Sequence, residues 1–172
     1  QSAVFVINEH ATILAPTCGG GANSLVTEVL CEAASISSDF GGNPPYEKMY
    51  DVMRISLKYY LKQTNVLFII GGKAYNTDIF VTFRAMADAL RDYFSERGPT
   101  PLYVVIGRGR PNLIRGMGAI KDVLDALRIP YKIFGFDSAM TDVVNYAQEA
   151  DRWMKSGGRA EVAKLLGLPA DA

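Results

Sequence analysis

The 172-residue sequence has few of the residues that carry most metal and nucleophile chemistry. It contains only two cysteines, Cys18 and Cys31, and one histidine, His10. The cysteines show no zinc-type spacing, and a thiolate or histidine catalyst needs an orienting partner that no neighbouring residue supplies. We therefore expect neither a metal site nor a catalytic residue in this chain.

The sequence also lacks an excess of charge and any long apolar run. Lys and Arg number 18 and Asp and Glu number 18, with no block of like charge. This balance argues against binding to nucleic acid or to an anionic membrane surface. The apolar runs are no longer than strands, so none could span a bilayer. Because no signal peptide is visible either, we expect a cytoplasmic protein whose partners are small molecules or proteins.

What the sequence does contain is an alternation of strand-length apolar runs and amphipathic helical patterns. In the central stretch, the apolar run Val66 to Ile70 is followed by Gly71 and Gly72 and then by a helical pattern. Strands that are apolar on both faces indicate a parallel sheet covered on both sides. We predict an α/β fold, a flavodoxin-like three-layer sandwich with a mainly parallel sheet. The runs Ala3 to Asn8 and Ala11 to Pro16 predict two strands joined by a tight turn.

The length fits one domain over residues 1–172. Because the chain opens with Gln-Ser rather than Met, we expect a domain cut from a longer polypeptide. Residues 157–172 should form a C-terminal helix and tail that docks on the domain.

Glycine-bearing turns follow three of the predicted strands, and these turns carry the candidate site. Carboxyl ends of parallel strands meet at one sheet edge, where glycine lets backbone amides approach a ligand. The guanidinium fork of arginine binds a carboxylate with two hydrogen bonds. The candidate binding residues are Gly19, Gly20, Gly21, Gly71, Gly72, Lys73, Asn76, Thr77, Arg108 and Arg110. Together they predict a site for a polycarboxylate or a phosphate. The glycine triplet only half-matches a dinucleotide fingerprint, so a flavin or NAD site ranks lower.

Four segments resemble the citrate-binding domain of ATP-citrate lyase. They are CGGGANSL (Cys18 to Leu25), IIGGKAYNTDIFVTFRAMADALRDY (Ile69 to Tyr93), YVVIGRGRPN (Tyr103 to Asn112) and IPYKIFGFDSAMTDVV (Ile129 to Val144). The wider family includes the C-terminal domain of the succinyl-CoA synthetase β subunit.

The resemblance implies that this domain holds citrate while other parts of the enzyme perform the phosphoryl chemistry. Carried over by position, the citrate contacts fall on Gly20, Asn76, Thr77, Tyr93 and Arg108. The resemblance also implies an ATP-grasp domain and a CoA-binding half that carries a phosphohistidine, in an oligomeric enzyme using ATP, Mg and CoA. It implies no cofactor in this domain and no catalysis by the isolated domain.

This sequence departs from the family pattern in its central turn. The family has an aromatic residue between the asparagine and the threonine, whereas Asn76 and Thr77 are adjacent here. Lys73 and Arg110 replace small residues, and Asp78 adds a negative charge near the helix start. These departures leave a succinyl-CoA synthetase β-type dicarboxylate domain as an alternative. A nonenzymatic subunit-assembly domain is a second one.

Overall fold

The structure, a computed structural model, describes residues 3–6, 12–15, 17–18, 36–39, 46–71, 79–107, 113–135 and 138–171. The strands are β1 (Ala3–Val6), β2 (Ile13–Leu14), β3 (Thr17–Cys18), β4 (Ile36–Asp39), β5 (Val66–Gly71), β6 (Tyr103–Gly107) and β7 (Tyr131–Ile133). The α-helices are α1 (Tyr46–Tyr60), α2 (Ile79–Arg97), α3 (Leu113–Leu127), α4 (Met140–Trp153) and α5 (Arg159–Leu165). A 3₁₀ turn, Leu61–Gln63, follows α1, and a kinked π-type turn, Met154–Gly158, joins α4 to α5.

The main sheet is parallel throughout its described strands. β5 pairs with β6, and β6 pairs with β7. β2 and β3 lie end to end along the other side of β5, with Ile13 opposite Val66 and Thr17 opposite Ile70. The sheet is therefore four strands wide, and the expected α/β architecture is confirmed.

Helices cover this sheet on both faces. Leu67 and Ile69 of β5 face a core cluster that contains the inner sides of α1, α2 and α3. Val66 and Phe68, the alternate residues of the same strand, face a second cluster that contains Val143 of α4. Successive side chains of a strand point to opposite faces, so an apolar strand between two helical layers has to be apolar at every position. This arrangement is the predicted three-layer sandwich.

The predicted hairpin between the first two strands is wrong. β1 pairs antiparallel with β4 in a separate two-stranded sheet, where Ala3 lies opposite Asp39. β2 instead joins the main sheet, where both of its faces are covered. Ile13 belongs to the α4 cluster and Leu14 to the other cluster. Both side chains are 0% exposed. A strand in a two-stranded hairpin could not bury both of these faces.

The helical patterns of α1 and α2 are confirmed by their burial. Met49, Met53 and Leu57 of α1 are 0% exposed, at the spacing of one helix face. α2 ends before Gly98, which has φ of 85° and donates its N–H to the Phe94 carbonyl at 2.9 Å. A left-handed glycine that closes the last turn in this way is a common helix end. None of the helices described is both long and apolar enough to cross a membrane.

Three polar contacts join the outer sides of α1 and α2. The Tyr46 hydroxyl donates to Asp88 at 2.5 Å, the Tyr50 hydroxyl donates to Asp92 at 2.6 Å, and Arg54 pairs with Glu96. Each partner lies 42 residues after the first residue of its pair, so the two helices run parallel. We call these contacts the polar rungs. Burial and the hydrogen bond to Asp88 raise the pKa of Tyr46 to about 12.

Candidate functional site

Three neighbouring strands of the main sheet end side by side. Cys18, the last residue of β3, lies opposite Gly71, the last residue of β5. Gly107, the last residue of β6, lies opposite Ile70 of β5. Adjacent strands are about 4.8 Å apart, so the three ends lie within about 10 Å of one another. We call this side of the sheet the carboxyl edge.

The predicted binding residues follow directly from these three strand ends. Gly71 is the last residue of β5, and its backbone stands at the carboxyl edge. The other turn residues, namely Gly19, Gly20, Gly21, Gly72, Lys73, Asn76, Thr77, Arg108 and Arg110, lie outside the described residues. The strand register brings together the three points from which their segments start. Their contacts with a ligand remain a prediction.

The helices that follow these turns begin without acidic side chains in their first turns. This holds for α2, which begins at Ile79, and for α3, which begins at Leu113. A helix start carries unpaired N–H groups and the positive end of the helix dipole. Neither first turn contains a carboxylate that would offset this positive end, although Asp78 directly precedes α2 in the sequence.

Tyr93 is the one predicted citrate contact whose side chain is described. It is 8% exposed and belongs to the core cluster of α1, α2 and α3. Tyr93 lies fourteen residues after Ile79, which corresponds to about 21 Å along the helix axis. It is four residues from the end of α2, where the chain returns towards the start of β6. This position favours a role in the core over a contact at the carboxyl edge.

The opposite side of the sheet, the amino edge, contains a polar cluster that sequence analysis did not find. The Thr12 hydroxyl donates to Asp151 Oδ1 at 2.6 Å, and the Asn65 amide donates to the same oxygen at 3.2 Å. Lys155 pairs with Asp151 Oδ2 at 3.0 Å. Arg159 donates to Asn65 Oδ1 at 2.9 Å. These contacts therefore connect the end of α4 and the start of α5 to the starts of β2 and β5.

The two central residues of the amino-edge cluster are buried. Asn65 and Asp151 are each 6% exposed, and burial lowers the pKa of Arg159. Buried polar groups are stable only when they are hydrogen-bonded. These groups bond to one another and to the backbone, so we assign the cluster to stability rather than to ligand binding. No local pattern could have revealed it, because Asp151 lies 139 residues from Thr12 and 86 from Asn65.

Aromatic side chains pack α4 onto the sheet. The hydroxyls of Tyr103 and Tyr146 are 2.7 Å apart, and Trp153 meets the Tyr103 ring edge-on. Phe134 packs edge-on against Tyr146. Burial, followed by the hydrogen bond to Tyr146, raises the pKa of Tyr103, so its hydroxyl is neutral at physiological pH. These rings are part of the packing between layers.

A family model for the citrate-binding region of ATP citrate lyase matches residues 2–150 of this chain. Among curated proteins, human ATP-citrate synthase is 25% identical over 151 residues, which are 83% of this chain and 14% of that protein. ATP-citrate synthase alpha chain protein 2 of Arabidopsis thaliana is 22% identical over 151 residues, or 83% of this chain and 36% of that protein. The chain thus spans a minor part of the length of these relatives.

Solved structures show the same fold. One is an ATP citrate lyase from Methanosaeta concilii, a mutant in complex with (3S)-citryl-CoA. It has a TM-score of 0.75 and 24% identity, and the match covers 87% of this chain and 39% of that one. The ATP citrate lyase of Methanothrix soehngenii, in complex with citrate and coenzyme A, has a TM-score of 0.75 and 23% identity. That match covers 87% of this chain and 42% of the other.

The match of the family model covers residues 2–150, and the fold agrees with that of the two solved structures. The chain belongs to the ATP citrate lyase citrate-binding family.

Proposed function

We propose that this domain holds citrate at the carboxyl edge for an enzyme of the ATP-citrate lyase type. The observation that carries the proposal is the alignment of Cys18, Gly71 and Gly107 at the ends of three adjacent strands. Each strand leads into a turn whose sequence suits an anion. The two solved neighbours contain citrate or citryl-CoA, which supports a tricarboxylate as the ligand.

Within the proposed site, each group has a simple task. Backbone amides after Gly19 to Gly21 and around Gly72 donate to carboxylate oxygens. The side chains of Asn76 and Thr77 donate further hydrogen bonds, and the Arg108 guanidinium pairs with one carboxylate. Lys73 and Arg110 add positive charge. Three carboxylates demand many donors, and glycine-bearing turns provide them without side chains in the way.

The chemistry itself belongs to other parts of the complete enzyme. A phosphoryl group passes from ATP, with Mg, to a histidine in a CoA-binding half and then to a citrate carboxylate. The thiol of CoA displaces phosphate from that acyl phosphate, and the citryl-CoA formed is cleaved to acetyl-CoA and oxaloacetate. This chain binds and orients the acid and is not catalytic alone. Its partners are an ATP-grasp domain and the CoA-binding half of a cytoplasmic oligomer.

Calorimetric titration of the 172-residue chain with citrate and with succinate tests the proposal. We expect citrate to bind, and to raise the free energy of unfolding by about 2.7 kcal/mol at about 100 times its Kd. Tighter binding of succinate would favour the dicarboxylate alternative, which the adjacent Asn76 and Thr77 support. The absence of heat with any dicarboxylate or tricarboxylate would contradict the proposal. With ATP and CoA added, the chain should produce no acetyl-CoA.

A further inference from the structure

Gly107, the last residue of β6, lies against Val143 of α4 with no space for a side chain. A Cβ built at Gly107 would be 2.5 Å from Val143 Cγ1 and 3.2 Å from Cγ2, whereas real Cβ atoms are essentially never closer than 3.0 Å to a neighbour. The Val143 Cβ itself would be 3.4 Å away, at the start of ordinary contact. The two methyl groups of Val143 alone therefore create the conflict.

The surroundings leave little freedom to relieve such a conflict. On one side, Gly107 is in register with Ile70 of β5. On the other side, the Phe134 N–H donates to the Ile106 carbonyl at 2.8 Å. Val143 is 0% exposed and belongs to the α4 core cluster. α4 could move away only by opening that cluster, and buried cores resist this because they are closely packed.

We infer that Gly107 is a positioning residue for the citrate site. The missing side chain lets α4 pack directly on the end of β6, whereas any side chain at Gly107 would displace the point from which the chain continues into Arg108. The inference rests on the proposed function, because Arg108 is its proposed carboxylate ligand.

The displacement that a side chain would impose is large on the scale of a binding site. Val143 Cγ1 would have to be about 0.9 Å farther away to reach the 3.4 Å of ordinary contact. Binding groups work when they are held within about 0.5 Å of their productive positions. Gly107 does not have a left-handed φ, so alanine would meet no backbone strain there. The effect of Gly107→Ala should therefore come from the contact with Val143.

The test compares citrate affinity in Gly107→Ala, Val143→Ala and the double variant of the 172-residue chain. We expect Gly107→Ala to weaken citrate binding roughly tenfold, since misplacement by about 1 Å is costly at a site. Val143→Ala should leave the Kd within about twofold. In the double variant the conflicting methyl groups are gone, so the Kd should return to within about threefold of the parent value.

Gly158→Ala is the matched control for general destabilisation. A Cβ there would be 2.3 Å from the Trp153 ring, in the turn between α4 and α5. This variant should unfold at a lower temperature, as Gly107→Ala should, but keep the parent affinity for citrate. Gly118→Ala, inside α3, adds a Cβ that meets nothing within 4 Å, so it should keep the parent affinity for citrate and slightly raise the unfolding temperature.

The outcomes separate the inference from the proposed function. If the parent chain binds no citrate, both fail. If the parent binds citrate and Gly107→Ala binds it equally well, only the inference fails. If Gly107→Ala does not fold, the double variant is compared with Val143→Ala, and equal affinities support the inference. A double variant that binds tenfold more weakly than Val143→Ala would overturn it.

Discussion

The two edges of the sheet are built differently. At the amino edge, Thr12, Asn65 and Asp151 are joined by hydrogen bonds, and Lys155 and Arg159 complete the cluster. At the carboxyl edge, three adjacent strands end within one residue of one another, at Cys18, Gly71 and Gly107, and glycine and basic residues follow in the sequence. The amino edge satisfies its polar groups internally, whereas the carboxyl edge leads into turns suited to an external anion.

This difference suggests a division of labour within one small domain. Groups that satisfy one another stabilise the fold but have no capacity left for a ligand. Groups that bind a ligand contribute little to the stability of the protein when the ligand is absent. Substitutions at the amino edge should therefore change stability and leave binding intact, and substitutions at the carboxyl edge should do the reverse.

The largest effect should come from Asp151→Ala at the amino edge. This change leaves the Thr12 hydroxyl and the buried Asn65 amide without their acceptor and removes the partner of Lys155. We expect the free energy of unfolding in urea to fall by about 3 kcal/mol. The citrate Kd of the folded protein should stay within about twofold. Asp122→Ala, which removes an exposed acid of α3, should cost less than about 0.5 kcal/mol. If Asp151→Ala lowers the free energy of unfolding by less than about 1 kcal/mol, the amino-edge cluster does not have the stabilising role assigned to it.

Arg108→Ala at the carboxyl edge should have the opposite profile. Loss of a charged hydrogen-bond donor should weaken citrate binding by about 1.5 to 3 kcal/mol, measured by calorimetry. The free energy of unfolding without citrate should hardly change. Arg152→Ala, at an exposed position near the end of α4, is the control with the same loss of charge. Unchanged citrate affinity in Arg108→Ala would remove this residue from the site.

The smallest effect should come from Tyr50→Phe, which lies on the outer helices rather than at either edge. It removes the hydrogen bond to Asp92, and this should cost about 1 kcal/mol of unfolding free energy at pH 7. The Tyr50 hydrogen bond is the main cause of the lowered pKa of Asp92, and Arg91 lowers it further.

The pH dependence follows from the direction of that shift. A lowered pKa in the folded state means that the stabilisation is present above the unfolded pKa of about 3.8 and is lost as the pH falls through the folded value. The difference in unfolding free energy between the parent and Tyr50→Phe should therefore narrow in urea titrations as the pH falls below about 3.8. Tyr59→Phe, at an exposed tyrosine of the same helix, should show no such narrowing. A difference that is independent of pH would show that the hydroxyl acts other than through the Asp92 carboxylate.

Much of the fold could be predicted because buried positions recur as a periodic pattern of apolar residues in the sequence. β5 is apolar at each position from Val66 to Ile69 and is covered on both faces, as the run predicted. Met49, Met53 and Leu57 mark the buried face of α1 in the same way. The starting points of the ligand turns followed from a general rule of parallel sheets rather than from any contact.

The features that could not be predicted depend on pairing between distant residues. Ala3 to Asn8 and Ala11 to Pro16 are both short apolar runs, and nothing within them shows that β1 pairs with β4 while β2 joins β5. Asp151 has no local feature that distinguishes it from an exposed acid of α4. The citrate contact of Tyr93 stays a prediction from its position in a motif, and its burial in the core depends on how α2 packs, which no local pattern shows.

The polar rungs between α1 and α2 are four residues apart on both helices. If one helix slid along the other by four residues, or about 6 Å, Tyr50 would face Asp88 and Arg54 would face Asp92, and two of the three contacts could form again. The polar rungs alone therefore do not determine which of these two alignments of α1 and α2 forms. The packing of the buried side chains must therefore determine the alignment, and so it also determines how far the first residue of α2 extends along the strands towards the carboxyl edge.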